Sequence, residues 1–150
     1  MGLYRLIYSS QAIPTLQPQD LKDILVASEK NNPERGITGL LCYGQPAFLQ
    51  ILEGDRQMVN ETYHHIVTDN RHHSPQIIEC VPIRKRIFET WSMQAIALNN
   101  LSKEQINSLV LKYSGSTALD PDRMEPEQCL NFLVDIAKVY QLSDNFFVDL

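Results

Sequence analysis

An α+β fold is predicted by this sequence: one sheet with two helices on a single face and further helices after it. Three observations carry the expectation. Strand-like and helix-like segments follow one another as strand, helix, strand, strand, helix, strand, strand over residues 3–97. The stretch Gly44–Gly54 is apolar on both faces and bounded by glycines, as a strand in the middle of a sheet should be. The last third abandons period-two alternation for helical spacing.

Leu3 to Ser9 is the first strand, with Tyr4, Leu6 and Tyr8 on one face. Gln11–Gln17 contains Pro14 and reads as a loop, and Pro18 suits the first turn of a helix. Leu21, Ile24, Leu25 and Ser28 form that helix's buried stripe, which ends at Asn31 and Asn32 before Pro33. Ile37–Tyr43 is the second strand, and Gly44-Gln45-Pro46 turns the chain into the third. Glu53 and Asp55 bracket a glycine turn, where capping of the next helix is the simplest role. That helix carries Met58, Val59, Thr62, Tyr63, Ile66 and Val67 on its apolar side, with His65 and Asp69 at the edge. Asn70–Pro75 is a polar loop, Gln76–Pro82 a fourth strand, Arg84-Lys85-Arg86 a basic turn and Ile87–Ala97 a fifth strand presenting Trp91, Met93 and Ala95 on one face. Ser102-Lys103-Glu104-Gln105 has the form of a capping box. Two helices follow, separated by a linker over residues 114–121, and the second opens at Pro126.

The first six elements spell the ferredoxin-like double βαβ order. That order sets the first and third strands side by side at the centre, here expected to be parallel, with both helices on one face. Residues 1–97 then form one domain, and 98–150 a helical extension that caps the open face of the sheet or mediates oligomerisation. The full reading is a βαββαββ sheet with two helices on one face, plus C-terminal helices.

The chain's 150 residues suit one domain, and a hydrophobic share of 43% supports a real core. A net charge of −5 argues against a dedicated nucleic-acid binder. No apolar run is long enough to span a bilayer, and the start lacks the apolar region of a signal peptide. Cys42, Cys80 and Cys129 are an odd set at wide spacings, expected as reduced core thiols in a cytoplasmic protein.

Several chemistries find no support. His64 and His65 lie about 100° apart on a helix, and no cysteine sits at zinc-ligand spacing from any histidine. The third strand has Phe48, but the Lys/Arg-Gly-aromatic signature of RNA-binding strands is missing. No nucleophile motif and no phosphate-cradling glycine loop appears.

What remains is a cluster of amides among apolar groups. Gln50 shares its strand face with Phe48 and Leu52, so its amide needs partners: either the backbone or a bound ligand. Tyr8, Ile24, Ser28, Asn31, Asn32, Gln50, Ile66, Trp91 and Met93 would outline an apolar slot with polar groups at its end. Such a slot suits a planar heteroaromatic with carbonyl and imino groups on its edge, of which a flavin is one.

The segments LYRLIYSS, ASEKNNPERGITGLL, PAFLQILEG and WSMQA, in this order and spacing, resemble the BLUF family of blue-light sensors that use flavin. The resemblance spans about two thirds of the chain. The C-terminal helices resemble those of the short, PixD-type cyanobacterial members, which carry no fused output domain. The resemblance implies FAD as cofactor, with FMN chemically possible. It implies that Tyr8 is the photochemical donor, that Gln50 relays between Tyr8 and the flavin, and that Asn31 and Asn32 hold the ring's polar edge. Ile24 and Ile66 would sandwich the ring, Ser28 and Phe48 would line the pocket, and Trp91 and Met93 would exchange near Gln50. Asp69 and Arg71, His72 and His73 would lie toward the ribityl and phosphate side. Family members often have arginine where this chain has His65, which implies a weaker, pH-dependent anchor, since an unperturbed histidine is mostly neutral at pH 7.

The implied function is photoreception rather than enzymatic catalysis. Electron and proton transfer from Tyr8 and a switch of the Gln50 hydrogen bonds would be read out as changed self-assembly or partner binding. The implied partners are further copies of the chain, in a ring-like homo-oligomer, and a response-regulator-like protein. A flavin-dependent redox enzyme on the same scaffold is the alternative.

Overall fold

Five strands form one sheet in the order β4-β1-β3-β2-β5: β1 (Leu3–Ala12), β2 (Thr38–Tyr43), β3 (Ala47–Asp55), β4 (His72–Ile83) and β5 (Gln94–Ala97). Helix α1 (Pro18–Asn31) links β1 to β2, and α2 (Arg56–Val67) links β3 to β4. Helices α3 (Lys103–Ser114) and α4 (Pro126–Val148) follow the sheet. This computed structural model describes residues 2–31, 35–89 and 93–148; the side chains of Asn31 and of residues 142–148 also fall outside the description.

The ferredoxin-like order is observed, with one correction. Strands β1 and β3 are central neighbours but antiparallel, with Leu6 opposite Leu52 and Tyr8 opposite Gln50. The connections explain this. The crossover through α1 sets β1 and β2 in the same direction, and the hairpin sets β3 against β2, so β3, inserted between them, opposes both. Pleating then sends alternate residues to opposite layers.

Leu6, Tyr8 and Leu52 point toward α2, where they pack with Val59, Tyr63 and Ile66. Leu41, Tyr43 and Phe48 point the same way and meet Leu21, Ile24 and Leu25 of α1. Ile7, Leu49, Ile51 and Cys42 point to the opposite layer, which α3 and α4 cover with Ile106, Val110, Phe132, Leu133 and Ile136. Phe132, Leu133 and Ile136 have no exposed surface. Full burial of each such side chain contributes about 1.5–3 kcal/mol. The amphipathic C-terminal helices thus cover the face that the first two helices leave open. Gly39 on β2 has φ 148°, and a Cβ there would sit 2.0 Å from the Ile51 carbonyl oxygen, so only glycine lets β2 and β3 approach as they do.

Four local expectations fail for physical reasons. β4 begins at His72 rather than Gln76, because it is an edge strand: an edge tolerates Pro75, and irregularities in its pairing with β1 absorb Ser74 at φ 55°. β5 is only four residues long, since the chain over 84–89 turns away instead of extending. Ser102 stands at the start of α3 but makes no side-chain cap bond there. Cys80 is exposed on the edge strand, unlike buried Cys42 and Cys129. Burial pushes the Cys129 thiol up to about 11. No helix among the described residues is long and apolar enough to cross a membrane.

Candidate functional site

Tyr8 and Gln50 form the floor of the site. Register places them directly opposite on β1 and β3, and both are almost wholly buried. The Tyr8 hydroxyl donates to Gln50 Oε1 at 2.5 Å, and Gln50 Nε2 donates to Met93 Sδ at 3.5 Å. A thioether is a weak acceptor, so the amide's donor side is held only loosely. Burial, aided by the nearby Tyr63 and Asp69, pushes the Tyr8 phenol well above its ordinary range, so it stays protonated and donates.

Above this pair a cavity of about 290 Å³ opens between α1 and α2. Ligand clefts typically run from ~300 Å³ upward, so it lies at the small end of that range. Ile24 and Ala27 line it from α1, Ile66 lines it from α2, and Leu41 and Phe48 from the sheet. Ser28, His65, Asp69, Arg71 and His72 add polar wall. All these elements are local consequences of sequence: helical spacing puts Ile24 and Ser28 one turn apart, and Asp55 caps α2 by accepting from the Gln57 N–H at 3.0 Å.

The polar end beside α2 is tightly organised. The Asp69 carboxylate accepts from Arg71 Nε at 2.9 Å and from Arg71 Nη2 at 2.5 Å. These bonds hold the Asp69 carboxyl below its ordinary value despite partial burial. His72 donates from Nε2 to the Ile66 carbonyl at 2.9 Å, and its Nδ1 pairs with the Ser10 hydroxyl at 2.7 Å. The imidazole therefore ties β4 to β1 and to the turn of α2 that carries Ile66.

Ten of the residues expected at the site line the cavity: Tyr8, Ile24, Ser28, Phe48, Gln50, His65, Ile66, Asp69, Arg71 and His72. Met93 lies beside it, through Gln50. His73 is exposed and bonds Ser74 Oγ instead. Asn31 closes α1, with its side chain outside the described residues; Asn32 and Trp91 also lie outside them.

Sequence reasoning missed Ala27, Arg35, Leu41, Thr62 and Thr68 on the wall. Helical spacing assigns Thr62 only to an apolar stripe, and Arg35 falls outside any periodic segment. Thr62 Oγ1 is buried without a hydrogen-bond partner among the described residues. Glu53 is not the cap that its place beside a glycine turn suggests. It is wholly buried, and its carboxylate accepts from the Ile87 N–H at 3.0 Å and the Phe88 N–H at 2.8 Å.

Aliphatic walls, a phenol–amide floor, hydroxyls on two helices and an orphaned buried oxygen fit a flat aromatic ligand with a polar edge, as a flavin ring is.

Comparison with known proteins gives the same direction. Residues 3–94 match the family model described as sensors of blue light using FAD. Photoactivated adenylate cyclase subunit beta of Euglena gracilis is 30% identical over 92 residues, which is 61% of this chain and 11% of that protein. A beta-like protein FB of the same organism is 28% identical over 101 residues, 67% of this chain and 12% of that protein, so the chain spans about an eighth of the length of these relatives. Among solved structures, the photo-activated state of BlsA superposes with a TM-score of 0.77 at 29% identity, covering 89% of this chain and 93% of that one. BlrB, a BLUF protein in its dark state, gives 0.62 at 30% identity over 73% of this chain and 85% of its own. The chain belongs to the BLUF family, blue-light sensors that use a bound flavin.

Proposed function

We propose that this chain is a blue-light photoreceptor in which the Tyr8–Gln50 hydrogen bond is the switch. The observation that carries this reading is that bond itself, 2.5 Å long and buried at the floor of a cavity between two helices. A flavin held in the cavity supplies blue-light absorption and, once excited, a one-electron oxidant.

Tyr8 is the group placed to give up an electron and its hydroxyl proton. It is the phenol beside the cavity that is both buried and already hydrogen-bonded through its proton. When that proton leaves, Gln50 Oε1 loses its donor. The amide then rotates or tautomerises, because its other bond, to Met93 Sδ, is too weak to resist. Return of electron and proton leaves Tyr8 restored beside a reoriented Gln50. A hydrogen-bond exchange of this kind is worth at most about 3 kcal/mol, enough to bias a two-state element. Met93 precedes β5, and the turn before it is clipped to Glu53, so β5 and its approach are the element to which Gln50 is coupled.

Ile24 and Ile66 would clasp the ring from the two helices, with Ser28, Phe48, Asn31 and Asn32 around it. His65, Asp69, Arg71, His72 and His73 belong to the side from which the ribityl chain leaves. FAD is the proposed cofactor, as the family's description names it. Residues 1–97 act as the sensing domain and 98–150 as the part that caps the sheet and reports.

The output proposed is altered self-assembly, in a ring-like homo-oligomer, together with binding of a response-regulator-like partner in the cytoplasm. Exposed Leu111 on α3 and Val26 on α1 offer apolar contact surface for it.

The test is blue light on the purified yellow protein without added reductant. A red-shifted spectrum that returns in the dark supports the sensor. Bleaching by a nicotinamide cofactor, with no response to light, supports a redox enzyme instead. Size-exclusion chromatography under light and in darkness tests the readout; identical elution in both rules out self-assembly as output.

A further inference from the structure

Tyr8 has an aromatic neighbour that the switch does not use. The Tyr63 ring on α2 meets the Tyr8 ring edge-on, with centroids 5.4 Å apart and planes at 62°. That is contact distance for a T-shaped pair, so no third group separates the two phenols. Tyr63 lines no part of the cavity. It is half-buried, whereas Tyr8 is only 3% exposed. On its other side stands the ring of exposed His64, 6.4 Å away. Tyr8 and Tyr63 thus form a two-ring line from the floor of the cavity toward solvent. The two phenols differ in where a proton can go. The Tyr8 hydroxyl is committed to Gln50 Oε1, and burial opposes charge at that oxygen. Tyr63 keeps contact with water, which can take up a phenolic proton released on oxidation.

We infer that Tyr63 is a second electron donor, which refills Tyr8 from outside the cavity and diverts part of the light response into lasting reduction of the bound flavin. The inference rests on the photoreceptor reading above and deepens it. In that reading Tyr8 has lost one electron to the excited flavin and its proton toward Gln50. Tyr63 then gives one electron to the Tyr8 radical, and the Tyr63 O–H bond breaks as its proton passes to water. Tyr8 takes its own proton back from the Gln50 side, and its O–H bond re-forms. The balance is one electron moved from Tyr63 to the flavin and one proton moved from Tyr63 to water. Tyr63 is oxidised by one electron, the flavin is reduced by one, and Tyr8 has regained both electron and proton. The route by which Tyr8 would recover its electron from the flavin is then closed. Tyr63 therefore sets the branching between a cycle that resets itself and a reduction that does not.

The experiment is continuous blue illumination of the flavin-loaded chain without added reductant. It is followed by absorption and, on frozen samples, by electron paramagnetic resonance. The parent should show the reversible red shift and, on longer exposure, a slow build-up of one-electron-reduced flavin together with a tyrosyl radical. Tyr63→Phe should still shift to the red but lose the build-up and the tyrosyl signal. Tyr63→Leu should behave in the same way. A role in packing alone predicts the reverse, because Phe keeps the ring against Tyr8: parental build-up in Tyr63→Phe and a change only in Tyr63→Leu overturns the inference. Tyr63→Trp supplies another oxidisable ring and should restore the build-up, with an indole radical in place of the tyrosyl one. Tyr8→Phe should lose the red shift and the build-up together, since Tyr63 reaches the flavin through Tyr8. A tyrosyl radical that still accumulates in Tyr8→Phe overturns the relay. So does a parent that shifts to the red and accumulates no radical. A parent with no red shift at all removes the photoreceptor reading, and this inference with it. A thermal melt of each variant checks that the fold is kept.

Discussion

Tyr8 donates to Gln50 Oε1 across the β1–β3 pair at 2.5 Å, and no other described group shares that oxygen. The pair is therefore a single bond whose loss leaves a buried acceptor orphaned. Tyr8→Phe should keep the flavin, whose walls are aliphatic, and abolish the light-induced red shift. In the flavin-free chain it should cost about 1–3 kcal/mol, read from denaturant unfolding. A variant that retains the full red shift eliminates Tyr8 as the donor. Gln50→Leu should lose the shift too, and its survival would discard the amide as relay.

Met93 holds the other side of the same amide. Met93→Leu keeps the volume and removes the sulfur acceptor, so stability should change by less than about 1.5 kcal/mol. The Gln50 donor is then free, and the rate of dark recovery should change while a red shift still forms. Recovery at the parental rate would mean that the Nε2–Sδ contact has no part in holding either state.

How much of this can be read from the chain alone depends on which forces fix each part. Tyr8, Ile24, Gln50 and Ile66 are legible because they sit in regular elements, where period fixes the face on which a side chain lies. Strand direction is not, since alternation reads the same whichever way a neighbour runs; the crossover through α1 and the hairpin between β2 and β3 together decide it. The start of β4 escapes because Ser74-Pro75 has loop chemistry, and pairing with β1 overrides it at the sheet edge. Arg35 and Glu53 escape for a different reason. Their roles depend on groups distant in sequence, the cavity wall for one and residues 87–88 for the other.

The Asp69–Arg71 pair makes a pH prediction. Hydrogen bonding to Arg71 lowers the Asp69 carboxyl in the folded chain. The stabilisation is therefore complete above the unfolded value of ~4 and is lost as pH falls through the folded value. Both side chains are 30% exposed, so the pair is screened and worth less than about 1 kcal/mol at pH 7. Thermal melts should show Asp69→Asn slightly less stable than the parent at pH 7, with the gap narrowing as the pH is taken down below the ordinary carboxylate range. A gap that does not change with pH at all would show that the substitution harms the fold by some route other than charge.

Glu53 yields a structural prediction as well. Its carboxylate is wholly buried and accepts the Ile87 and Phe88 N–H groups, while its own carbonyl accepts from Arg86 Nη1 at 3.1 Å. One strand residue thus clips the turn that precedes Met93 to the back of the sheet, on the face opposite Gln50. Glu53→Ala removes the carboxylate to which one buried and one partly buried backbone N–H donate and should cost about 1–3 kcal/mol, read from urea unfolding. Glu53→Gln keeps one acceptor oxygen and should fall between. If the clip couples the floor of the cavity to β5, Glu53→Gln should also alter dark recovery, although Glu53 lines no part of the cavity and faces the other layer. Recovery identical to the parent, with the stability loss present, would confine Glu53 to holding the turn and break the proposed link from Gln50 through Met93 to β5.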